Sequence, residues 1–329
     1  MWMTTWGRTA VRDGPKVTTP FATMPHVDTL RTPEDRFTAT AAFPYEPDYV
    51  EVDDGEGGRL RVATYTAGPA DGEVVLLLHG EPSWSYLYRH VMATLANRGI
   101  RSVALDLVGF GRSDKPVDVA DHTYARHVEW TRAAVVDQLG LSGVTLVGQD
   151  WGGLIGLRMA TENPELAARI VAANTGLPTG DQAMPDVWLM FRQAVENAAV
   201  LDVGRFVASG CRKGLNDDDR AAYDAPFAEE AAKAGPRAMP GLVPTRPDDP
   251  ASEANRTAWS RLTEWDRPFL VAFSDGDPIT GGMAGIFRSV VPTAANEPEV
   301  VVADAGHFLQ EDAGTELADA IADFIARHP

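Results

Sequence analysis

Short apolar segments alternate with helical patterns along this chain, and that alternation most restricts what the chain can fold into. Val74–Leu78 is a continuous run of Val and Leu, which is typical of a strand buried on both faces of a parallel sheet. Similar runs follow at Ser102–Leu107, Val144–Val147 and Ile170–Ala173, with helical spacing in the segments between them. This order predicts a mostly parallel sheet covered by helices on both faces.

The alternation stops between residues 176 and 261 and returns with an apolar run at Phe269–Phe273. The interrupting segment contains helical stretches at Pro185–Ala198, Val203–Ser209 and Asp217–Tyr223 and a proline-rich second half, but no convincing strand. We therefore interpret residues 176–261 as an all-helical cap inserted into one α/β domain, which consists of residues 36–175 and 262–329. Residues 1–35 show no clear periodicity and are expected to form an irregular N-terminal arm.

The charge balance argues against nucleic acid as a partner. The chain has 29 Lys+Arg and 47 Asp+Glu, a formal net charge of −18, whereas phosphate backbones are bound by surfaces rich in Lys and Arg. The single cysteine, Cys211, leaves no pair for an internal disulfide or a cysteine-based metal cage. No apolar run approaches the roughly 20 residues of a membrane span, and the N-terminus lacks the apolar stretch of a secretory signal. We expect a cytoplasmic protein that binds neither nucleic acid nor membrane.

The segment Gly148–Gly152 lies between an apolar strand and a helical pattern. Its sequence, Gly-Gln-Asp-Trp-Gly, has the form of a nucleophile elbow, in which a tight strand-to-helix turn lifts one side chain above the sheet. Asp150 would be that side chain, and the flanking glycines would leave room for the turn. A phosphate-binding or purely structural turn is also compatible with this spacing.

Two acidic residues and a histidine follow the later strands. Asp275 and Asp277 come just after the strand that ends at Phe273, and His307 follows the apolar run Val300–Val302. The order is nucleophile, acid, histidine, and a parallel sheet brings the carboxyl ends of its strands to one edge. Asp277 is preferred over Asp275 as the acid because it lies farther past the strand, where the loop can turn back toward His307.

Four motifs, in this order along the chain, resemble those of haloalkane dehalogenases. The four are His79–Arg89, Gly148–Gly153, Tyr223–Phe227 and Asp304–Glu311. The resemblance extends from about residue 28 to the C-terminus. It implies an α/β-hydrolase fold, with a mostly parallel eight-stranded sheet and the inserted all-helical cap. A sister subfamily has its acidic residue, a Glu, after the strand before the cap. Asn174 stands there in this chain, which favours Asp277.

The resemblance implies covalent chemistry. Asp150 would displace halide from an alkyl carbon and form an ester, a task suited to a carboxylate because its pKa of ~3.9 leaves it ionised at neutral pH. His307, oriented by Asp277, would take a proton from the water that hydrolyses the ester. The implied substrates are a halogenated alkane and water, a halide ion is a product, and no metal or organic cofactor is implied.

The resemblance also assigns hydrogen-bond donors. The backbone N–H groups of Glu81 and Trp151 would form an oxyanion hole. The indole N–H groups of Trp151 and Trp188 would bind the halide, with Trp259 and Trp265 as alternatives to Trp188. The apolar residues expected to line the pocket are Val187, Phe191, Pro226, Phe227, Leu262 and Phe308.

An epoxide hydrolase is the nearest alternative, because it would share the Asp nucleophile and the same turns. Epoxide opening produces an alkoxide that needs a proton, and such enzymes present cap tyrosines. This cap contains one tyrosine, Tyr223, and Trp188 favours halide chemistry. A non-catalytic receptor with this fold would have lost a member of the triad, and a serine esterase would carry Ser in place of Asp150.

Overall fold

One large sheet organises the described part of the chain, which comprises Met1 and residues 26–329 in this computed structural model. In chain order the strands are β1 (Thr29–Leu30), β2 (Asp48–Asp53), β3 (Arg59–Ala67), β4 (Val74–Leu78), β5 (Arg101–Leu105), β6 (Lys115–Pro116), β7 (Val144–Gln149), β8 (Ala167–Ala173), β9 (Phe269–Ser274) and β10 (Val300–Val302). Eight of them form the sheet in the order β10-β9-β8-β7-β4-β5-β3-β2, and β1 pairs only with β6.

The sheet is parallel from β10 to β5, and β3 runs antiparallel to both β5 and β2. The prediction of a mostly parallel, eight-stranded sheet is confirmed. β4 coincides with the apolar run Val74–Leu78, and four of its five residues are buried, as expected of a central strand covered on both faces. The register places Leu78 beside Gly148 of β7, so the turns that follow β4 and β7 begin next to each other.

Helices cover the sheet and follow its strands. In chain order they are α1 (Arg89–Asn97), α2 (Tyr124–Arg132), α3 (Trp151–Glu162), α4 (Asp186–Asn197), α5 (Val203–Gly210), α6 (Asp217–Asp224), α7 (Ala234–Leu242), α8 (Ser252–Leu262), α9 (Met283–Val290) and α10 (Leu309–Arg327). Short 3₁₀ turns are found at Glu34–Ala39, Ser85–Tyr88, Val119–Asp121, Glu230–Lys233 and Ala294–Asn296, and a π-helical turn at Ala133–Gln138 extends α2.

The five helices α4 to α8 all fall between β8 and β9, in the segment predicted to be a helical insertion. α4, α5 and α6 coincide with the helical stretches expected there. α7 and α8 lie in the proline-rich half and were not predicted as helices. α7 contains Pro240 close to its end at Leu242 and packs against α4, so tertiary contacts outweigh the low helix propensity of proline at this position.

The N-terminal segment is described only from residue 26 onward, so residues 2–25 of the predicted arm lie outside the described residues. The described end is anchored to the sheet domain. Thr29–Leu30 pairs antiparallel with Lys115–Pro116, and the Arg31 guanidinium donates to Asp114 at 2.6 and 3.0 Å. Within the described residues, no helix has the length and apolarity needed to cross a bilayer.

Candidate active site

Asp150 occupies a strained turn between β7 and α3. Its backbone has φ 49° and ψ −125°, a conformation that costs a non-glycine residue free energy and that functional sites often contain. The neighbouring glycines make room for it, because a Cβ on Gly152 would collide with the Leu78 carbonyl and one on Gly80 would collide with the Asp150 side chain. The elbow predicted from the spacing therefore has the expected local geometry.

His307 lies between the two carboxylates that the sequence pairs with it. Its Nδ1 is 3.1 Å from Asp277 Oδ2, and its Nε2 is 3.6 Å from Asp150 Oδ2. Asp277 is held in turn by the backbone N–H groups of Ile279 at 2.9 Å and Thr280 at 3.2 Å. The structure thus brings Asp150, His307 and Asp277 together at the carboxyl edge of the sheet.

Asp275, the other acidic candidate, does not reach the histidine. Its side chain is exposed, accepts the Ala305 N–H at 3.3 Å and lies 3.6 Å from the Arg212 guanidinium. Asp277, two residues later, is buried against the imidazole. The loop after β9 therefore turns back over the site between these two positions, as the sequence argument for Asp277 requires.

Asp277 and His307 form a buried pair in which each residue changes the pKa of the other. Burial raises the pKa of Asp277, but the charge of His307 and the hydrogen bonds from His307, Thr280 and Ile279 lower it, with a net value of about 2. Burial lowers the pKa of His307, while the carboxylates of Asp277 and Asp150 raise it, to about 10. The attraction between opposite charges therefore shifts the pKa values of Asp277 and His307 more than desolvation does.

Backbone donors surround the Asp150 carboxyl group. The Glu81 N–H donates to Asp150 Oδ1 at 2.8 Å. Trp151 is the first residue of α3, so its N–H has no acceptor within the helix and lies at the positive end of the helix dipole. The Glu81 side chain is itself buried, and burial together with the Asp150 charge raises its pKa well above the usual range.

A cavity of about 1340 Å³ opens above Asp150 and is lined by Trp151, Trp188 and Trp259 among others. Across the described residues, the indole N–H groups of Trp151 and Trp188 have no hydrogen-bond acceptor. Trp259, by contrast, donates its indole N–H to the Leu177 carbonyl at 2.7 Å. Trp265 does not line the cavity. The structure therefore leaves Trp151 and Trp188 as the indole donors available to a molecule in the cavity.

Three of the six predicted apolar lining residues, Val187, Phe191 and Phe308, lie on the cavity wall. The prediction is wrong for the other three, which do not line it. Phe227 packs edge-on against Phe110 with ring centroids 6.3 Å apart, and Leu262 is completely buried at the end of α8. Pro226 directs its carbonyl to the Thr32 hydroxyl at 2.5 Å. Their helices and loops turn these side chains toward the protein interior instead.

Several lining residues were missed by the sequence analysis. They come from the loop before α4, from α4 and α5, and from the segment between β9 and α9. The apolar members include Leu177, Met184, Phe206, Cys211, Ile279 and Met283. Their apolar character is visible in the sequence, but no motif separates them from ordinary core residues.

Tyr223, the tyrosine on which the epoxide alternative depended, faces away from the cavity. It is completely buried, and its hydroxyl donates to the Glu311 carboxylate. No tyrosine is among the described residues that line the cavity. The described residues of the cavity wall therefore present no phenol to protonate an alkoxide. Among all the residues that the structure describes, no cluster of three or more His, Cys, Asp or Glu side chains could hold a metal ion.

Comparisons with known proteins agree with this geometry. The sequence model of a family described as the alpha/beta hydrolase fold matches residues 73–314. A haloalkane dehalogenase of Psychrobacter cryohalolentis is 46% identical over 300 residues, covering 91% of this chain and 99% of that protein. Haloalkane dehalogenase 1 of Mycobacterium tuberculosis is 47% identical over 293 residues, covering 89% and 97%.

A solved structure is similar over nearly the same extent. The haloalkane dehalogenase DpaA of Paraglaciecola agarilytica, described as tetrameric, superposes with a TM-score of 0.82 at 33% identity, covering 89% of this chain and 97% of that one. The fold, the geometry of the site and the similarity to these proteins all support the same assignment. The chain belongs to the α/β-hydrolase family and, within it, to the haloalkane dehalogenases.

Proposed function

We propose that this protein hydrolyses haloalkanes to alcohol and halide through a covalent ester on Asp150. The observation that carries the proposal is the surroundings of Asp150, a carboxylate that faces an apolar cavity between His307 and two indoles without acceptors. A carboxylate in this position can attack an sp³ carbon, and the indole N–H groups can receive the leaving anion in a dry site.

In the first step, Asp150 Oδ2 attacks the carbon that bears the halogen. The new C–O bond forms as the carbon–halogen bond breaks, and the halide leaves with the bonding electron pair. The indole N–H groups of Trp151 and Trp188 stabilise it as negative charge develops. A halide is a weak base and leaves without a proton, so this step needs no general acid.

In the second step, water attacks the carboxyl carbon of the ester. His307 Nε2 takes a proton from that water, and Asp277 stabilises the imidazolium that forms. The Glu81 and Trp151 N–H groups bind the oxyanion of the tetrahedral intermediate, where one such donor is worth ~3 kcal/mol. The imidazolium then gives its proton to the departing alcohol oxygen, and Asp150 returns to its carboxylate form as a second proton is released.

The division of the chain is also a proposal. Residues 36–175 and 262–329 would form the domain that supplies Asp150, His307 and Asp277. Residues 176–261 would form a cap that supplies Trp188 and closes the cavity. The support for this division is that α4 to α8 interrupt the strand order without adding a strand to the sheet.

We also propose that the protein works in the cytoplasm on small molecules and binds neither nucleic acid nor membrane. The net charge of −18 disfavours nucleic acid. The single cysteine is buried and unpaired, so the fold does not depend on an oxidising compartment.

The deciding experiment compares halide release from a 1-bromoalkane with diol formation from a terminal epoxide of the same chain length. We expect halide release and no diol, because the described residues that line the cavity offer indole donors for an anion and include no tyrosine for an alkoxide. Diol formation without halide release would replace this proposal with epoxide hydrolysis.

A further inference from the structure

Gln149 directly precedes Asp150 and contacts His307 from the interior side of the site. Its side chain is completely buried at the end of β7. Its amide nitrogen lies 3.2 Å from His307 Nε2 and 3.3 Å from the His307 carbonyl oxygen. Its Oε1 is buried and has no hydrogen-bond partner within the described residues.

Only one orientation of the Gln149 amide suits these neighbours. The –NH₂ group has two protons and meets two acceptors, the His307 carbonyl and the Nε2 of a neutral imidazole. The reverse orientation would place Oε1 against the carbonyl oxygen and leave both amide protons buried without acceptors. An unmade buried hydrogen bond costs about 1–3 kcal/mol. The observed orientation leaves only the acceptor Oε1 of Gln149 without a partner. The reverse orientation would leave both amide N–H groups without acceptors and would place Oε1 against the carbonyl oxygen of His307.

We propose that, once Asp150 has been converted to the ester, Gln149 is a positioning residue that holds His307 in the neutral tautomer with its proton on Nδ1, so that Nε2 is free to act as the base that hydrolyses the ester. The Nδ1 proton is directed to Asp277 Oδ2 at 3.1 Å. A protonated Nε2 would instead point its N–H at the amide donor of Gln149. This inference rests on the proposed function, since it concerns the second step of that reaction.

The charged and titratable groups around His307 come from several elements. Asp277 follows β9, Asp150 follows β7 and Glu81 follows β4, and the carboxylates of Asp277 and Asp150 favour the imidazolium. On the cap side, Cys211 and Arg212 line the same cavity. Arg212 is paired with Asp304 at 3.1 Å, and Asp312 of α10 accepts the Gly306 N–H at 2.8 Å.

Ester formation changes this balance. Asp150 loses its negative charge when it is alkylated, so one of the two carboxylates that favour the imidazolium is removed. The amide donor of Gln149 stays in place and favours the neutral ring. Water that reaches Nε2 replaces this hydrogen bond and finds an unprotonated base, while Gln149 keeps its bond to the His307 carbonyl.

The main chain of His307 does not depend on Gln149 alone. Asn174 Nδ2 donates to the carbonyls of Gly306 at 2.9 Å and His307 at 3.0 Å. Asn174 therefore holds the backbone of the histidine loop, and no hydrogen bond joins it to the imidazole among the residues that the structure describes. This difference provides a matched control, because one residue contacts the ring and the other only the backbone.

The test separates the two half-reactions in single-turnover experiments with a 1-bromoalkane. Halide release reports ester formation, and alcohol release reports hydrolysis, and both are measured from pH 5 to pH 10.

The variant Gln149→Met keeps the size of the side chain but has no hydrogen-bond donor. In this variant we expect the pH midpoint of alcohol release to rise by about one unit, which makes hydrolysis ~10-fold slower at pH values below the midpoint. In Gln149→Glu the midpoint should rise further, because a carboxylate stabilises the imidazolium. Asn174→Ala should slow the reaction without moving the midpoint.

An unchanged or lower midpoint in both Gln149 variants, with halide release intact, would overturn the inference and leave the proposed function standing. Absence of a halide burst in the unaltered enzyme would instead overturn the proposed function. A ¹⁵N-imidazole NMR spectrum of Asp150→Asn, in which the side chain at position 150 is neutral as it is in the ester, decides the matter even where a Gln149 variant fails to fold. An unprotonated, hydrogen-bond-accepting Nε2 at neutral pH in Asp150→Asn supports the inference, and a protonated Nε2 refutes it.

Discussion

At the residue scale, the proposed mechanism requires different surroundings for a carboxylate and for an imidazole. It requires Asp150 to be anionic and exposed to the cavity, and the elbow with its positive φ directs the side chain there. It requires His307 to be oriented, and this buried ring is contacted by Asp277 on one side and by Gln149 on the other. The proposed nucleophile and the proposed base therefore need different surroundings, which different strand ends supply.

Replacement of the base should trap the ester. In His307→Phe, halide release should persist for one turnover, because Asp150 attacks without proton transfer, while hydrolysis should fall by at least ~100-fold. Mass spectrometry of the peptide that contains Asp150 should show the added alkyl group. The double variant Asp150→Ala, His307→Phe should show no adduct. An unmodified peptide after halide release would contradict covalent attack by Asp150.

The two cavity tryptophans should differ in their effect on halide. Trp188→Phe removes an indole N–H that has no acceptor in the described part of the protein, and a hydrogen bond to a charged group is worth ~1.5–3 kcal/mol. We expect product inhibition by bromide to weaken by about 10- to 100-fold.

Trp259→Phe is the matched control for Trp188→Phe. Its indole N–H is already bonded to the Leu177 carbonyl, so this variant should lose stability by ~1 kcal/mol and leave bromide inhibition within about twofold. The reverse pattern would assign the halide donor to Trp259.

At the element scale, a buried ion-pair network joins α6 to α1 and α10. Arg89 of α1 contacts the carboxylates of Glu311 at 2.7 Å and Asp219 of α6 at 3.1 Å, and the Tyr223 hydroxyl also donates to Glu311. The Arg89 and Glu311 side chains are each only 3% exposed. This network fixes α6, a helix of the inserted segment, on α1 and α10.

Glu311→Gln should therefore destabilise the protein strongly. It leaves the buried Arg89 with only one of its two carboxylate partners, Asp219. Breaking a buried ion pair lowers the free energy of unfolding by about 3–5 kcal/mol. Urea unfolding measures the loss. Asp319→Asn is the control, because its partner Arg98 is 42% exposed and Asp319 is 48% exposed, so this change should cost less than ~1 kcal/mol. Equal effects of the two variants would show that the buried network does not hold the cap.

At the scale of the whole molecule, buried titratable groups set the pH dependence of stability. Burial lowers the pKa of His79, His122 and His127, so the unfolded chain binds protons below pH ~6.5 that the folded protein does not. The pKa of His307 is raised to about 10, so its contribution to stability is complete below pH ~6.5 and is lost as the pH rises toward 10. Burial lowers the pKa of Lys115 to about 7, so its effect on stability increases with pH above 7 and opposes that of His307. We expect the free energy of unfolding to rise from pH 5 to pH 6.5 and to change little from there to pH 9.

Urea unfolding at pH 5, 6.5 and 9 measures this profile. In His307→Phe the free energy of unfolding should rise from pH 6.5 to pH 9, because the effect of Lys115 is then no longer opposed. His122→Asn should flatten part of the acid side. The same profile from pH 6.5 to 9 in His307→Phe and in the unaltered protein would contradict the ion pairs of His307 with Asp277 and Asp150.

Much of the fold follows from local patterns, because apolar runs and helical spacing are properties of contiguous residues. The run Val74–Leu78 coincides with β4, and the helical stretches predicted in residues 185–223 correspond to α4, α5 and α6. α7 was missed because its prolines lower local helix propensity, and packing against neighbouring elements supplies the compensation. α8 contains no proline but follows directly on the proline-rich stretch that ends at Pro250, and it was missed with it. The sequence between β9 and β10 shows no distinct helical pattern that would predict α9.

The sequence by itself predicted the succession of strands along the chain, the elbow at Asp150 and the loops that carry Asp277 and His307, since each depends on residues close together in the chain. Only the tertiary structure decided which side chains face the cavity, because that depends on how helices rotate as they pack. Phe227 and Leu262 are as apolar as Phe191, yet the packing of the cap directs them inward. Tyr223 bonds to Glu311, 88 residues away, and Gln149 meets His307, 158 residues away. Contacts over such separations leave no pattern in a single sequence.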